Sequence, residues 1–187
     1  ALTMSLHDFS LKGSAPYQKD TLLAANEVAF GINILALIKG DIEVDQFFIT
    51  KGKINVLVNE KGEANYNVYQ SAPSSDSSSS GEDTTTALKI KKIVIEKTDL
   101  LYDDLSSAML IKAKGLNYTG RSDLSKAVFD LTSHLTVDNF DLYYDKYPYV
   151  MQKKLNADLL TSINTNSLAL RFPKNRLHIN KLPMDFN

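Results

Sequence analysis

"FFITKGKINVLVNEKGEANYNVYQ", residues Phe47 to Gln70, decides the fold class. Ile54, Val56 and Val58 fall on one side of an extended chain, and Asn55, Leu57 and Asn59 on the other. "TKGK" reads as a turn. "NEKG" reads as a reversal, with Gly62 able to take positive φ at no steric cost. Ala64, Tyr66 and Val68 then return, with Asn65 and Asn67 facing away from them. The pattern predicts an antiparallel hairpin with one apolar and one polar face.

The same period of two runs outward in both directions. Upstream, Leu2, Met4 and Leu6 alternate, then Phe9 and Leu11, then Val28, Phe30, Ile32 and Ile34. "NILALIKG" suggests one or two short helical turns closed by Gly40. Ile42 and Val44 open the next strand. Downstream, residues 71–86 lose almost all apolar character, and six of the seven residues Ser74 to Ser80 are serine. Such a stretch cannot offset its ordering entropy by burial, so it reads as a flexible surface loop. Strand-like alternation resumes at Leu88 and continues through Tyr118, a turn expected at Gly120, and on to Ile179. Three stretches, "FFITKGKINVLV", "IVIEKTDLLYDD" and "LTVDNFDLYYDK", share one outline. Their spacing is loose, which suggests repeated hairpin units and not a strict solenoid.

The 187 residues suffice for one large domain or a compact pair, and 43% of them are hydrophobic. The formal net charge of -1 gives no support for a nucleic-acid partner. With no cysteine there is no disulfide framework, thiolate metal site or cysteine nucleophile. No apolar run reaches the roughly 18 residues that a membrane-spanning helix needs. The chain begins directly in an alternating pattern. It therefore reads as a piece of a longer protein, with any anchor outside it.

Catalytic and metal constellations do not emerge. His7, His134 and His178 are isolated, with no metal-binding spacing. Asp103 and Asp104 are neighbours on opposite sides of a strand, so they are not an acid/base dyad; one of them is expected to order the turn that follows. Asp99, Asp138, Asp141 and Asp145 lack the spacing of a calcium loop. Gly40, Gly52 and Gly62 do not compose a phosphate loop. Tyr143, Tyr144, Tyr147 and Tyr149 in "LYYDKYPY" fit a half-buried pleated surface, or else an aromatic platform for glycans or bases. "NYT" at Asn117 to Thr119 matches a glycosylation acceptor by pattern alone.

One further likeness lies in "LLAANEVAFGINILALIKGDIEVDQFFITKGKINVLVNEKGEANYNV". It resembles the amino-terminal region of AsmA-family proteins. Leu37 to Gly40, Ile42 with Val44, and Ile54 to Val58 carry the outline. The most specific part is "NEKGEANYNV", where Gly62, Asn65 and Tyr66 occupy the family's glycine, asparagine and aromatic positions. Tyrosine stands where the family often has tryptophan. The restart at "LKIKKIVIEKTDLLYDD" is similar to the second group of strands in the same domain.

The resemblance implies a non-enzymatic module of the bacterial periplasm, held at the inner membrane by an anchor outside this chain. It also implies a role in outer-membrane biogenesis and phospholipid transport, as in bridge-like lipid-transfer proteins. No cofactor is expected. The partners expected are phospholipid acyl chains, the inner membrane and other envelope proteins. The fold expected is mainly β: an extended, strongly curved antiparallel sheet, as a β-groove or as an open-barrel or sandwich-like form, with one or two short helices. Residues 1–70 and 87–187 would be two blocks of one domain around the serine-rich loop at 71–86. Val28, Phe30, Ile42, Val44, Ile54, Val56 and Val58 are the candidate lining of an apolar groove. The alternative is a structural or protein-interaction module that assists envelope assembly without binding lipid.

Overall fold

The computed structural model describes residues 2–33, 35, 38, 43–67, 87–122, 127–164 and 169–186. Nine strands form one sheet in chain order. They are β1 (Leu2–Lys12), β2 (Thr21–Ile32), β3 (Glu43–Val58), β4 (Ala87–Asp104), β5 (Met109–Arg121), β6 (Val128–Tyr144), β7 (Tyr147–Asn164), β8 (Ala169–Ile179) and β9 (Leu182–Phe186). Every neighbouring pair is antiparallel except β3 and β4, which run parallel. Among the described residues β1 and β9 are the two outermost strands.

This corrects the expected architecture. The sheet is mixed, not antiparallel throughout. It is open and not strongly curved, so neither a barrel, a sandwich nor a curled groove describes it. Among the described residues no helix forms a complete element. Of the stretch expected to be helical, Leu35 and Ile38 have helical backbone and are exposed, and the rest lies outside the described residues. The serine-rich stretch also lies outside them.

The Phe47–Gln70 hairpin is corrected as well. "TKGK" is no turn; it lies inside β3, which runs unbroken for 16 residues. Lys51 takes a left-handed φ of 50° and leaves the ladder there, while the register on both sides of it is kept, so the chain continues as one strand. The Gly52 N–H donates to Thr98 Oγ1 at 3.2 Å, beside it. The reversal at 59–62 does form. Asn59 Oδ1 accepts from the Lys61 and Glu63 N–H groups, and Gly62 takes φ 79°. The return is a single bridge, Val58 to Ala64, after which the chain turns away. Val58 therefore ends β3 at one end of the sheet, and the parallel register starts β4 at the other.

Gly120, expected at a turn, lies within β5, and the Tyr118 ring fills the space a Cβ would need there. The loose repeat has a structural basis in its first two copies. Phe47, Ile49, Ile54 and Val58 pair in register with Ile93, Ile95, Leu100 and Asp104. Lys51 and Lys97 both take left-handed φ. Two similar strands thus lie side by side, irregular at the same level.

Left-handed residues recur across the sheet at Asp8, Lys51, Lys97, Gly115 and Gln152, and the register shifts as a bulge beside the last three. Polar side chains repair the ladder beside them. Asn117 Oδ1 accepts from the Lys97 N–H and Asp99 Oδ1 from the Gly115 N–H, both at 3.0 Å. Asp141 Oδ1 accepts from the Gln152 N–H at 2.6 Å. Two of the aspartates that invite a calcium reading are thus engaged with backbone, and no metal-ligand group occurs among the described residues.

A candidate ligand-bearing face

Cross-strand partners in a sheet share a face. Following the register from β1 to β9 gives one row: Leu6, Val28, Ile49, Ile95, Tyr118, Leu135, Ala157, Leu177 and Met184. Every member is apolar or aromatic. A second row on the same face reads Leu11, Leu23, Ile54, Leu100, Ala113 and Phe140, before Lys153 ends it. A third runs Val56, Tyr102, Ile111, Leu142 and Val150. The bulges insert one residue without turning the strands over, so apolar side chains stay on one side above and below them.

The opposite face is mixed, with Phe48 and Val94 in one row and Leu110 and Tyr143 in another among its polar residues. Thr119, His134, Asp158 and Arg176 are neighbours in one row, and His134 Nδ1 lies 2.8 Å from Asp158 Oδ1. Lys112 Nζ sits 5.8 Å from the Tyr143 ring centroid. A cavity of about 420 Å³ opens at the end of the sheet, among Leu105, Ala108, Leu110 and Tyr143. Leu110 and Tyr143 share their row with Asp103, so the cavity lies apart from the apolar rows.

Two packed clusters punctuate the apolar face. One gathers Leu23, Ala25, Val28 and Ile49 against Phe9, Phe30, Phe47 and Ile95. The other gathers Ala113, Leu116 and Val137 against Leu100, Tyr118, Leu135 and Phe140. Substantial contacts join only neighbouring strands, so among the described residues no second layer covers either face. In the rows Ile95, Tyr118, Leu135 and Phe140 are half-buried, while Val28, Ile49, Ala113 and Ala157 are buried. Tyr118 keeps its ring in the apolar row and satisfies its hydroxyl on Ser133 Oγ at 3.0 Å.

Val28, Phe30, Val44, Ile54, Val56 and Val58 all lie on this face by register. Val28 is 1% exposed and Val58 is buried, so these two hold the sheet together; Phe30, Val44, Ile54 and Val56 keep accessible surface. Ile42 lies outside the described residues. Rows in β5 to β7, built on Ile111, Leu135 and Leu142, extend the face well beyond those residues. The alternation in β5 to β7 already carried that signal, but without the register it did not show which alternating sets line up.

The motif residues have a different role. Asn65 is 0% exposed. Its side-chain amide donates to the Asn55 carbonyl at 2.7 Å, and its Oδ1 accepts from the Leu57 N–H at 3.0 Å. Its own N–H bonds the Leu57 carbonyl, and its carbonyl accepts from the Ser14 N–H at 2.8 Å. β2 pairs with β3 no further along than Ile54, so the edge of β3 beyond it lacks a strand partner. Asn65 supplies those missing hydrogen bonds and ties the edge to the segment after β1. Gly62 forms the turn that brings it there. Tyr66 is 54% exposed.

At the same end, Asp104 orders the β4–β5 turn, as its position after Asp103 suggests. Its Oδ1 accepts from the Ser106 hydroxyl at 2.6 Å and from the Ser106 and Ser107 N–H groups. These bonds, led by those to Ser106, hold its carboxyl well below the usual carboxylate range. Burial, then the hydrogen bond to Asp104, pushes the Tyr102 hydroxyl up. Tyr144, Tyr147 and Tyr149 are exposed nearby, with the Tyr144 and Tyr149 rings edge to face at 6.2 Å.

The described residues form a wide sheet with continuous apolar rows on one side, and Asp99, Asp104 and Asp141 are engaged at its turns and bulges. The chain belongs to the AsmA family, whose model matches residues 1–170. That membership links it to the non-enzymatic proteins of bacterial envelope biogenesis, a family held at the inner membrane and reaching into the periplasm. No helix among the described residues is long and apolar enough to cross a membrane. Comparison with curated proteins and with solved structures gives no match.

Proposed function

We propose that this chain is a periplasmic module that carries phospholipid acyl chains on its apolar face, as part of an inner-membrane-anchored envelope protein. The observation that supports this reading is the uninterrupted nine-strand apolar row, with no layer over it among the described residues. Acyl chains need area and little directionality. Each methylene removed from water contributes about 0.8 kcal/mol, so even partial seating of a tail holds it. Rows repeated at each strand spacing offer many similar shallow positions, which suits movement along a surface better than one deep pocket. Phe30, Val44, Ile54 and Val56 would be contact positions at the β2–β3 end, with Ile42 among them.

Native mass spectrometry of detergent-free protein, followed by challenge with labelled phospholipid, tests the reading. Retained or captured phospholipid, lost in a folded Val56→Asp variant, supports it. A folded chain that neither retains nor takes up phospholipid contradicts it and favours a module that serves assembly through protein contacts.

A further inference from the structure

The aromatic residues of the apolar face sort by type along the strands. Phe30 and Phe47 are cross-strand partners with ring centroids 5.4 Å apart, and their row leads on to Ile93. Phe129, with Ile163 and Leu170 in its row, lies towards the same end of the sheet. Tyrosines stand at the other end. Tyr102 lies in the third apolar row, Tyr144 pairs with Met109 and with Tyr147, and the Tyr149 ring meets Tyr144 edge to face. Among the described residues no tyrosine lies at the phenylalanine end.

The two rings differ by one hydroxyl, and that difference matches the two ends of an amphiphile. Phenylalanine offers apolar area alone. Tyrosine offers the same ring with a hydrogen-bonding tip, and it suits the level where an apolar region meets water. The Tyr102 hydroxyl donates to Asp104 Oδ2 at 3.1 Å. Tyr144, Tyr147 and Tyr149 are 50%, 70% and 66% exposed, so theirs are the hydroxyls placed to meet a ligand. The ester and phosphate oxygens of a phospholipid accept hydrogen bonds from such donors, and its acyl tails make none.

We propose that phospholipids lie on this face in one orientation, with the headgroup and glycerol esters at the Tyr144, Tyr147 and Tyr149 end and the acyl tails directed along the strands towards Phe30, Phe47 and Phe129. This rests on the lipid-carrying role proposed for the face and adds a direction to it. The tyrosine hydroxyls set the orientation, and the phenylalanines contribute area.

Fluorophores on single cysteines test this. Met109→Cys, at the partner of Tyr144, and Ile163→Cys, at the partner of Phe129, mark two ends roughly 50 Å apart along the strands. Leu135→Cys marks the middle of the face. Phosphatidylcholine with a nitroxide quencher on its headgroup is added, and separately phosphatidylcholine with the quencher at the end of an acyl tail. The headgroup label is expected to quench the probe at 109 and leave the probe at 163 bright. The triple variant Tyr144→Phe/Tyr147→Phe/Tyr149→Phe keeps every ring. It is expected to keep quenching by the tail label while losing the difference between the ends. Equal headgroup quenching at both ends, stronger quenching at 163, or an end difference that survives in the triple variant overturns the inference, and tail-label quenching then leaves the lipid-carrying role standing. No quenching by either label at any of the three positions overturns that role and the inference with it.

Discussion

The family's motif residues divide sharply once their surroundings are known. Asn65 is buried with its side chain bonded to two backbone groups of β3, so its truncation leaves a donor and an acceptor of that strand without partners. Asn65→Ala is expected to lower stability by about 1–3 kcal/mol, read as a lower urea midpoint. Tyr66→Ala, at an exposed neighbour, is expected to stay within about 0.5 kcal/mol of wild type. Asp104 makes a second prediction. Its carboxyl titrates below the usual range in the folded chain, so the stabilisation it gives is complete above about pH 4. That stabilisation is lost as pH falls further, towards the folded-state value. Asp104→Asn should therefore be less stable than wild type at pH 7, and the gap should narrow in acid; an equal gap at pH 7 and pH 3 would contradict the assignment.

Among the elements, the bulges explain what was and was not legible in the sequence. Alternation identified nearly every strand, because each keeps one apolar side. It failed where the phase slips by one, as between Leu6 and Phe9 or between Ile49 and Ile54. A slip of phase beside a glycine looks like a turn; at Lys51 and Gly52 it is an irregularity within one long strand. Direction was also hidden. A single chain reads alike whether its neighbour is parallel or antiparallel, and only the long connection before β4 leaves room for a parallel partner. The apolar side chains of the candidate face were legible by period, while their alignment across strands was not, because register depends on those same bulges. Asn65 was legible as a motif position but not as a strand-edge latch, since nothing local shows that β2 stops short. Gly115 tests the importance of the bulges. It holds φ 64°, and a Cβ there would run into the Asp138 carboxylate. Gly115→Ala is expected to cost at least about 1–2 kcal/mol, measured as a lower thermal midpoint at unchanged fold.

At the scale of the whole molecule, an open sheet whose apolar face is left uncovered by the described residues is an unusual arrangement for a chain with so much apolar surface. Single-layer sheets ordinarily bury that face against helices or a second sheet. Here the register instead concentrates it into parallel rows running from one edge strand towards the other. Substitutions should accordingly separate by depth. Val28→Asp, at a position 1% exposed within a packed cluster, is expected to unfold the chain. Val56→Asp, half-exposed on the same face, is expected to leave it folded while abolishing phospholipid uptake; circular dichroism and labelled-lipid binding on the two variants make the comparison.

Because the chain has no cysteine, single cysteines can report each face directly. The measurement that bears most closely on the lipid-carrying face uses an environment-sensitive fluorophore at Ile111→Cys and Leu142→Cys, which share an apolar row, and at Lys112→Cys and Asp141→Cys, which are partners on the polar side. Phospholipid is then added. A blue shift at 111 and 142 and none at 112 and 141 is the predicted result, with the period of two expected of lipid bound to one face. Equal responses on both faces, or none on either, would contradict it.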